Sequence, residues 1–467
     1  MKVKIQMVID GQTQPTEITC FEKENLSAET LGLTLKESKI IAEGIQKALV
    51  SQQITDYVVQ QQSCPCCGKS RHIHGYNPLT YRTLFGKLHL DSPRLSECSC
   101  QSQEKTTFSP LTKILFKHTS PELSYLQSKW ASLTSYGLTA KFLEEVLPLR
   151  ANISSIFYNT QEVGERIEKE LGKEQGMFIE GCQNVWEKLP RPDERLRVGI
   201  DGGYIHGRDG DNRKAGWFEV IVGKSLQENH ATKRFGFVTG YDEKPKRRLY
   251  EMLQSQGLQM NQDITFLTDG GENVRELSYY LSPQAEHILD WFHITMKITV
   301  MKQTAIGVAA HENLESSDIG KNLERIKWCL WHGNVFKALN ILDSLRLKLG
   351  CFSGEQKKQK DAQYKLYQAV DEFYGYIENN SPTIPNYGER YRYGEVISTS
   401  FVESTVNEVI SRRMAKKQQM RWTKKGAHLL LQVRIKTLNN ELKPLFCKWY
   451  PNMKQEDEKI IPLAKAA

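Results

Sequence analysis

The chain has little that would carry it across or into a membrane. No apolar run reaches the roughly 18 residues that span a bilayer. The opening MKVKIQMVIDGQ lacks the basic, apolar and small-residue blocks of a secretion signal. These absences favour a soluble protein of the cytoplasm, with no membrane partner. Neither G-x-G-x-x-G nor G-x-x-x-x-G-K-[ST] occurs, so a nucleotide cofactor has no support. Two D-G-G triplets occur, at Asp201 and Asp269, but glycine stands where retroviral-type proteases place a hydroxyl, which argues against that chemistry. There is no internal repeat and no low-complexity tract.

What is present is ordinary in bulk. At 467 residues, with 39% hydrophobic and 25% charged side chains, the chain has material for several globular domains. The net charge of +8 is a mild excess, but its distribution is uneven. Acidic residues are missing altogether between Arg412 and Lys436, where nine basic ones stand. Such a stretch is either a solvated face or a surface for phosphates. On the second reading Arg412, Arg413, Lys416, Lys417, Arg421, Lys424 and Lys425 are candidate DNA contacts. Trp422 among them either stacks on a base or packs its helix onto a sheet.

Of ten cysteines, five fall between positions 64 and 100. In a reducing compartment such clustering points to structural Zn²⁺ rather than disulfides. Cys64 and Cys67 have C-x2-C spacing, Cys98 and Cys100 form the other pair, and Cys66, His72 or His74 could substitute. The 30 intervening residues contain alternating strand-like stretches, as a zinc ribbon requires.

Periodicity divides the chain into segments. Residues 1–60 give a strand and a helix, and 61–105 the ribbon. Residues 106–172 read as three helices broken at Tyr136-Gly137 and Pro148, with Thr139 and Asn152 or Ser154 as caps. They form either a helix-turn-helix or an ordinary bundle. A linker at 173–195 follows. Residues 196–297 run three strands, helix, strand, helix, strand, the order of a ribonuclease H-like α/β core. Residues 298–395 are helical, 396–440 hold a long helix that would complete the core, and 441–467 form a tail. The fold class is therefore multidomain α/β.

Asp201 in RVGIDGG and Asp269 in ITFLTDGG each end an apolar β-rich run, 68 positions apart. The order of elements between them allows neighbouring central strands. Two carboxylates that close repel unless a cation lies between them, and Mg²⁺ or Mn²⁺ suits oxygen ligands. A third acid is expected. Glu403 in VEST opens a helix, whereas Glu408 projects from another face, so Glu403 is favoured.

IDGG, LTDGG, DWFH and FVESTVN followed by MRW resemble the DDE transposases of bacterial insertion sequences related to the Mutator elements. The similarity spans residues 196–440, and the layout ahead of them also fits. The resemblance implies a ribonuclease H-like core with a helical insertion and two catalytic Mg²⁺ or Mn²⁺ ions on Asp201, Asp269 and Glu403. It also implies DNA cleavage at element ends followed by joining to target DNA, on double-stranded terminal inverted repeats, by a homodimer or larger assembly at the bacterial nucleoid. Asp290-Trp291-Phe292-His293 fits the family's D-x-x-H element, in which His293 positions DNA or the scissile phosphate and Asp290 orients it; following a core strand, His293 also reads as a structural histidine. A catalytically silent DNA-binding regulator and a structure-selective nuclease on the same core are the rival readings.

Overall fold

The computed structural model describes the chain except for residues 10–13, 101–105, 191, 193–194, 209–215, 228–229, 272–273, 275–276, 278–280, 283–284, 313–315, 351–361, 416–419 and 454–467. For 308–312 and 316–317 it describes the backbone alone. The described residues form two compact units, one of 1–166 with 440–467 and one of 167–439. Among them no helix is long and apolar enough to cross a membrane.

In the first unit β1 (Lys2–Met7) and β2 (Thr16–Glu22) pair antiparallel. Helix α1 (Leu35–Gln62) starts at a capping box in which Thr34 and Glu37 satisfy each other's backbone N–H. Strands β3 (Ile73–Thr83) and β4 (Gly86–Ser96) make a long hairpin that β5 (Thr107–Phe108) extends. Gly86 takes the hairpin turn at φ +126°, a region that glycine alone enters freely. After α2 (Pro110–Ile114) come α3 (Pro121–Leu133), α4 (Tyr136–Val146) and α5 (Ile153–Glu170). Ser120 and Ser135 cap α3 and α4 through their hydroxyls. Asn152 Oδ1 accepts from the amides of Ser154 and Ser155 at 2.8 and 3.3 Å. Three helices were expected here, but Ser135, and not Thr139, ends the break. Thr139 lies buried in mid-helix. The last helix, Leu442–Trp449, packs on α3 through Tyr125 and Phe446, whose rings lie 5.5 Å apart.

The second unit is built on a five-stranded sheet. After α6 (Gln183–Trp186), the meander β6 (Leu196–His206), β7 (Trp217–Leu226) and β8 (Arg234–Val238) runs antiparallel. Helix α7 (Pro245–Gln254) then leads to β9 (Ile264–Thr268), and β10 (Ala285–Leu289) follows. Both pair parallel, β9 with β6 and β10 with β9, so the spatial order is β10-β9-β6-β7-β8. The helix expected over 272–281 lies largely outside the described residues. On one face Val198, Ile200 and Phe266 bury against Leu249, Met252 and Leu253 of α7.

Leu267 and Leu289 join a second core with α8 (Trp291–Glu312), α9 (Ser316–Trp331), α10 (Val335–Leu349) and α11 (Ala362–Asn379). The helical region thus starts at Trp291, immediately after β10. Short α12 (Tyr387–Arg392) precedes α13 (Ser400–Val406), which widens into π-helical turns at Asn407–Ala415. A separate helix, α14 (Lys424–Leu438), capped by Thr423, is buried from Gly426 to Ile435.

Candidate active site and metal centres

The parallel registers bring three aspartates to one level. Ile200 of β6 is opposite Thr268 of β9, and Thr268 is opposite Leu289 of β10. The next residues are Asp201, Asp269 and Asp290. The Asp290 amide donates to the Thr268 carbonyl at 2.8 Å, which holds the last pair together.

Strand alternation turns Gly199, Asp201 and Gly203 to one face, and α13 lies across it. A Cβ at Gly199 would overlap Val402 Cγ2, and one at Gly203 would lie 3.0 Å from Val406 Cγ1. The helical turn between Val402 and Val406 therefore sits at the level of Asp201. Glu403 belongs to that turn and is exposed. Glycine on either side of the aspartate is what lets the helix approach so closely. Gly270 serves a different purpose: it turns at φ +84°, and a Cβ there would lie 2.6 Å from Leu289 Cδ1.

The charges at this site are unequal. Burial pushes the Asp201 carboxyl up to about 6. The Gly202 amide, donating to Oδ1 at 2.8 Å, and the charge of His293 oppose that rise, while Asp269 and Asp290 add to it. Asp269 Oδ1 accepts from the Gly271 amide at 3.0 Å, and its main-chain carbonyl accepts from the Tyr376 hydroxyl at 2.9 Å.

Asp290 is fully buried, and four donors meet it. They are the Phe292 amide at 2.8 Å, His293 Nδ1 at 2.8 Å, the Thr399 amide at 3.1 Å and the Thr399 hydroxyl. Burial alone would raise its pKa, but these bonds outweigh burial and hold it below the usual carboxylate range. Its oxygens are spent on donors, so it orients its neighbours. His293 is pushed upward, first by its bond to Asp290 and against its own burial. With Nδ1 engaged, Nε2 is the nitrogen left for a ligand.

Glu408 stands apart from this group. Its carboxylate takes Arg234 Nε at 2.9 Å, and its carbonyl accepts from Arg434. Among the described residues, the ligand atoms of Asp201, Asp269 and Glu403 do not all lie within 4.8 Å of one another.

Two groups do close that tightly. Cys64, Cys67, Cys98 and Cys100 converge, with Sγ···Sγ separations of 3.5 Å for 64–100, 3.4 Å for 67–98 and 3.5 Å for 67–100. Zn–S bonds of about 2.3 Å in a tetrahedron place sulfurs a little under 4 Å apart, so the four thiols fit Zn²⁺. Amide donation from Cys67 and Cys66 lowers the Cys64 thiol, while the neighbouring thiols raise Cys100, so the four share their protons unequally when no cation is between them. Cys66, His72 and His74 lie outside this group.

The second group, Glu168, Asp242 and His428, already has a cation. Arg248 is nearly buried and bonds Asp242 at 2.5 Å, Glu168 at 2.5 Å, Gln432 at 2.9 Å and His428 Nε2 at 3.0 Å. Its guanidinium fills the space an ion would need.

The basic segment is divided. Arg412, Arg421, Lys424 and Lys425 are exposed, and Lys416 and Lys417 lie outside the described residues. Arg413 and Trp422 depart from the expected DNA-facing surface. Arg413 is 0% exposed, with its guanidinium 5.3 Å from the Trp422 ring centre. Trp422 is 3% exposed and donates its indole N–H to the Met414 carbonyl at 3.0 Å. Both therefore pack against the π-helical turns; Trp422, expected either to stack on a base or to pack its helix onto a sheet, stands ahead of α14 in a bridge to Gly207.

Sequence reasoning missed Tyr376 as a neighbour of Asp269, and Lys297 as a neighbour of Tyr376. Lys297 lies one turn after His293, with Nζ 4.8 Å from the Tyr376 ring centre. Helical spacing from His293 could have singled out Lys297, but nothing local marks Tyr376.

No protein-family model matches the chain, and no curated protein does. Among solved structures, the Drosophila P element transposase strand transfer complex aligns at 8% identity with a TM-score of 0.31, over 69% of this chain and 93% of that one. A structure of NurA aligns at 15% identity with a TM-score of 0.10, over 56% and 74%. Superpositions this loose carry no argument.

Proposed function

We propose that the chain is a DDE transposase with a ribonuclease H-like catalytic core. In this reading it cleaves DNA at element ends and joins the freed 3′-hydroxyl to target DNA. The observation that carries the reading is the register of β6 and β9, which aligns Asp201 with Asp269 on adjacent parallel strands beneath the helix of Glu403.

The residues fit divalent ions. A half-buried carboxyl pushed to about 6 beside another carboxylate would be relieved by a cation, and Mg²⁺ or Mn²⁺ keeps water while taking such oxygens. Ions bound there would activate water or a 3′-hydroxyl and stabilise the leaving oxygen of an in-line displacement. Asp201 and Asp269 hold one side of that site on the rigid sheet. Glu403 closes it from the helix, and its exposure leaves it free to swing inward. Asp290 fixes the His293 ring so that Nε2 can donate to a phosphate oxygen. Arg412, Arg421, Lys424 and Lys425 offer charge to the DNA backbone.

Cys64, Cys67, Cys98 and Cys100 would hold Zn²⁺ as a folding device for the ribbon, which with α3 to α5 recognises the ends of the element. Two such ends require a homodimer or larger assembly. The site of action is the bacterial nucleoid.

The test uses a plasmid carrying the gene with its native flanking DNA, purified protein and Mg²⁺ or Mn²⁺. Wild type is expected to cut at the flanks and to join the cut ends to target. Asp201→Asn, Asp269→Asn and Glu403→Gln are expected to abolish both, and Glu408→Gln to keep both. Binding without cutting in either metal would replace this reading with the regulator. Cutting without joining would replace it with the nuclease.

A further inference from the structure

The tip of the β3–β4 hairpin, α3 and the turn from α4 into α5 enclose a cavity of about 460 Å³ in the first unit. Asp201, Asp269, Asp290 and Glu403 take no part in it. Its cations are Arg82 and Lys87, one from each strand beside the tip, and Arg150 from the turn. All three are exposed, and none of them is in an ion pair among the described residues. The cavity's carboxylate, Glu43, is already matched by Lys47 at 2.8 Å, and its stem lies against the hairpin turn at Gly86.

Neutral groups add donors rather than acceptors. Gln127, 4% exposed, accepts from Asn159 Nδ2 at its Oε1 at 3.1 Å, which leaves its NH₂ for the cavity. The 18-residue α5 also begins at the cavity wall, with Asn152 and Ser155 in its lining. The positive end of its dipole adds to the three cations. A lining of three cations and the Gln127 NH₂, with Glu43 matched by Lys47, suits an anion carrying several acceptor oxygens. Arginine in particular matches phosphate geometry with two parallel bonds.

We propose that this cavity seats a backbone phosphate of duplex DNA and so fixes the first unit's register on the element end. The proposal rests on the reading of the chain as a protein that acts on DNA. It adds a positioning contact, not a base-reading one.

The experiment measures binding of the full chain to two fluorescent duplexes, native flank and unrelated sequence, by anisotropy over a range of salt. Arg82→Gln, Lys87→Gln and Arg150→Gln are tested singly and together, beside Arg82→Lys and Arg150→Lys. Each lost phosphate contact removes about 0.9 from the slope of log K against log salt, or roughly eightfold in affinity near 0.1 M salt. The combined Gln variant is expected to lose at least one such step equally on both duplexes, while its melting temperature stays at the wild-type value and the Lys variants keep most of the slope.

An unchanged slope in the combined variant overturns the proposal, as does the absence of duplex binding by wild type. A second arm uses inorganic phosphate alone. If millimolar phosphate stabilises wild type but not the combined variant, and duplex binding is the same in both, the cavity is a free-anion site and the DNA contact is refuted. Binding is read without catalysis. A failure of the transposase reading would therefore show separately as binding without cutting.

Discussion

Replacing Asp201 with asparagine should stabilise the metal-free protein, although it destroys the site. The fold raises this carboxyl from an ordinary 3.8 to about 6, mainly by burying it. The native state thus favours the protonated form. Stability from this group is complete below the unfolded value, near pH 4, and is lost as pH rises through about 6. A shift of about two units is worth about 3 kcal/mol at neutral pH. Asparagine keeps an oxygen for the Gly202 amide and carries no charge, so the variant avoids that loss. For a unit of this size about 3 kcal/mol corresponds to roughly 5 °C in melting temperature. Thermal melts in chelator should show variant and wild type within about 1 °C near pH 4, and the variant roughly 5 °C higher near pH 7.5. Adding Mg²⁺ should then reverse the order, because wild type gains about 4.1 kcal/mol at a thousandfold excess over the dissociation constant. The variant has lost a ligand and gains little. A gap that stays flat with pH, or one that opens in the other direction, would refute the account of Asp201 as a strained carboxylate awaiting a cation.

Thr399→Val removes the hydroxyl bonded to Asp290. A hydrogen bond to a charged group is worth about 1.5–3 kcal/mol, so single-turnover cleavage should fall roughly ten- to hundredfold, and Thr399→Ser should restore it. Purified protein should carry one zinc per chain by metal analysis. Cys64→Ser and Cys98→Ser should lose the zinc together with the melting transition of the ribbon, whereas Cys66→Ser and His72→Ala should keep both. Glu408→Gln breaks a partly buried pair with Arg234 and should cost about 1 kcal/mol in a denaturant titration.

Much of this architecture was legible because its determinants are local. The apolar runs ending at Asp201 and Asp269 read as strands, and the meander's turn residues set the order that places those strands side by side. The cysteine pairs were legible from spacing, and the four-thiol set emerged over Cys66, His72 and His74 because the β3–β4 hairpin returns Cys98 and Cys100 to the first pair. What stayed hidden depends on side chains meeting across the sequence. A run of nine basic residues looks like one surface, yet Arg413 lies inside. The π-helical turns at Asn407–Ala415 change which face each residue presents, and no spacing rule for an ordinary α-helix anticipates that. The cap at Ser135 was missed for a simpler reason: Gly137 looked like the break, and it is tolerated one residue inside the helix instead.

The long insertion poses a physical problem that the structure resolves at one residue. Between Asp269 and Glu403 the chain builds a separate helical core, and an acid carried so far along the sequence must still return to the sheet. It does so because the insertion leaves and re-enters the sheet at the same place. The Trp291 amide at its start donates to the Ile397 carbonyl near its end at 3.2 Å, and Thr399 closes on Asp290 with both its amide and its hydroxyl. The carbonyl of Thr399 then accepts from the amides of Val402 and Glu403 and starts α13. Asp290 thus anchors the His293 ring on one side and the helix of Glu403 on the other, from a position in register with Asp269. The size of the insertion beyond that anchor has little bearing on where Glu403 lies, since closing a longer loop costs only about 0.6 kcal/mol per doubling of its length. The buried aspartate, more than the helices between, is what returns the helix of Glu403 to the sheet end that carries Asp201 and Asp269.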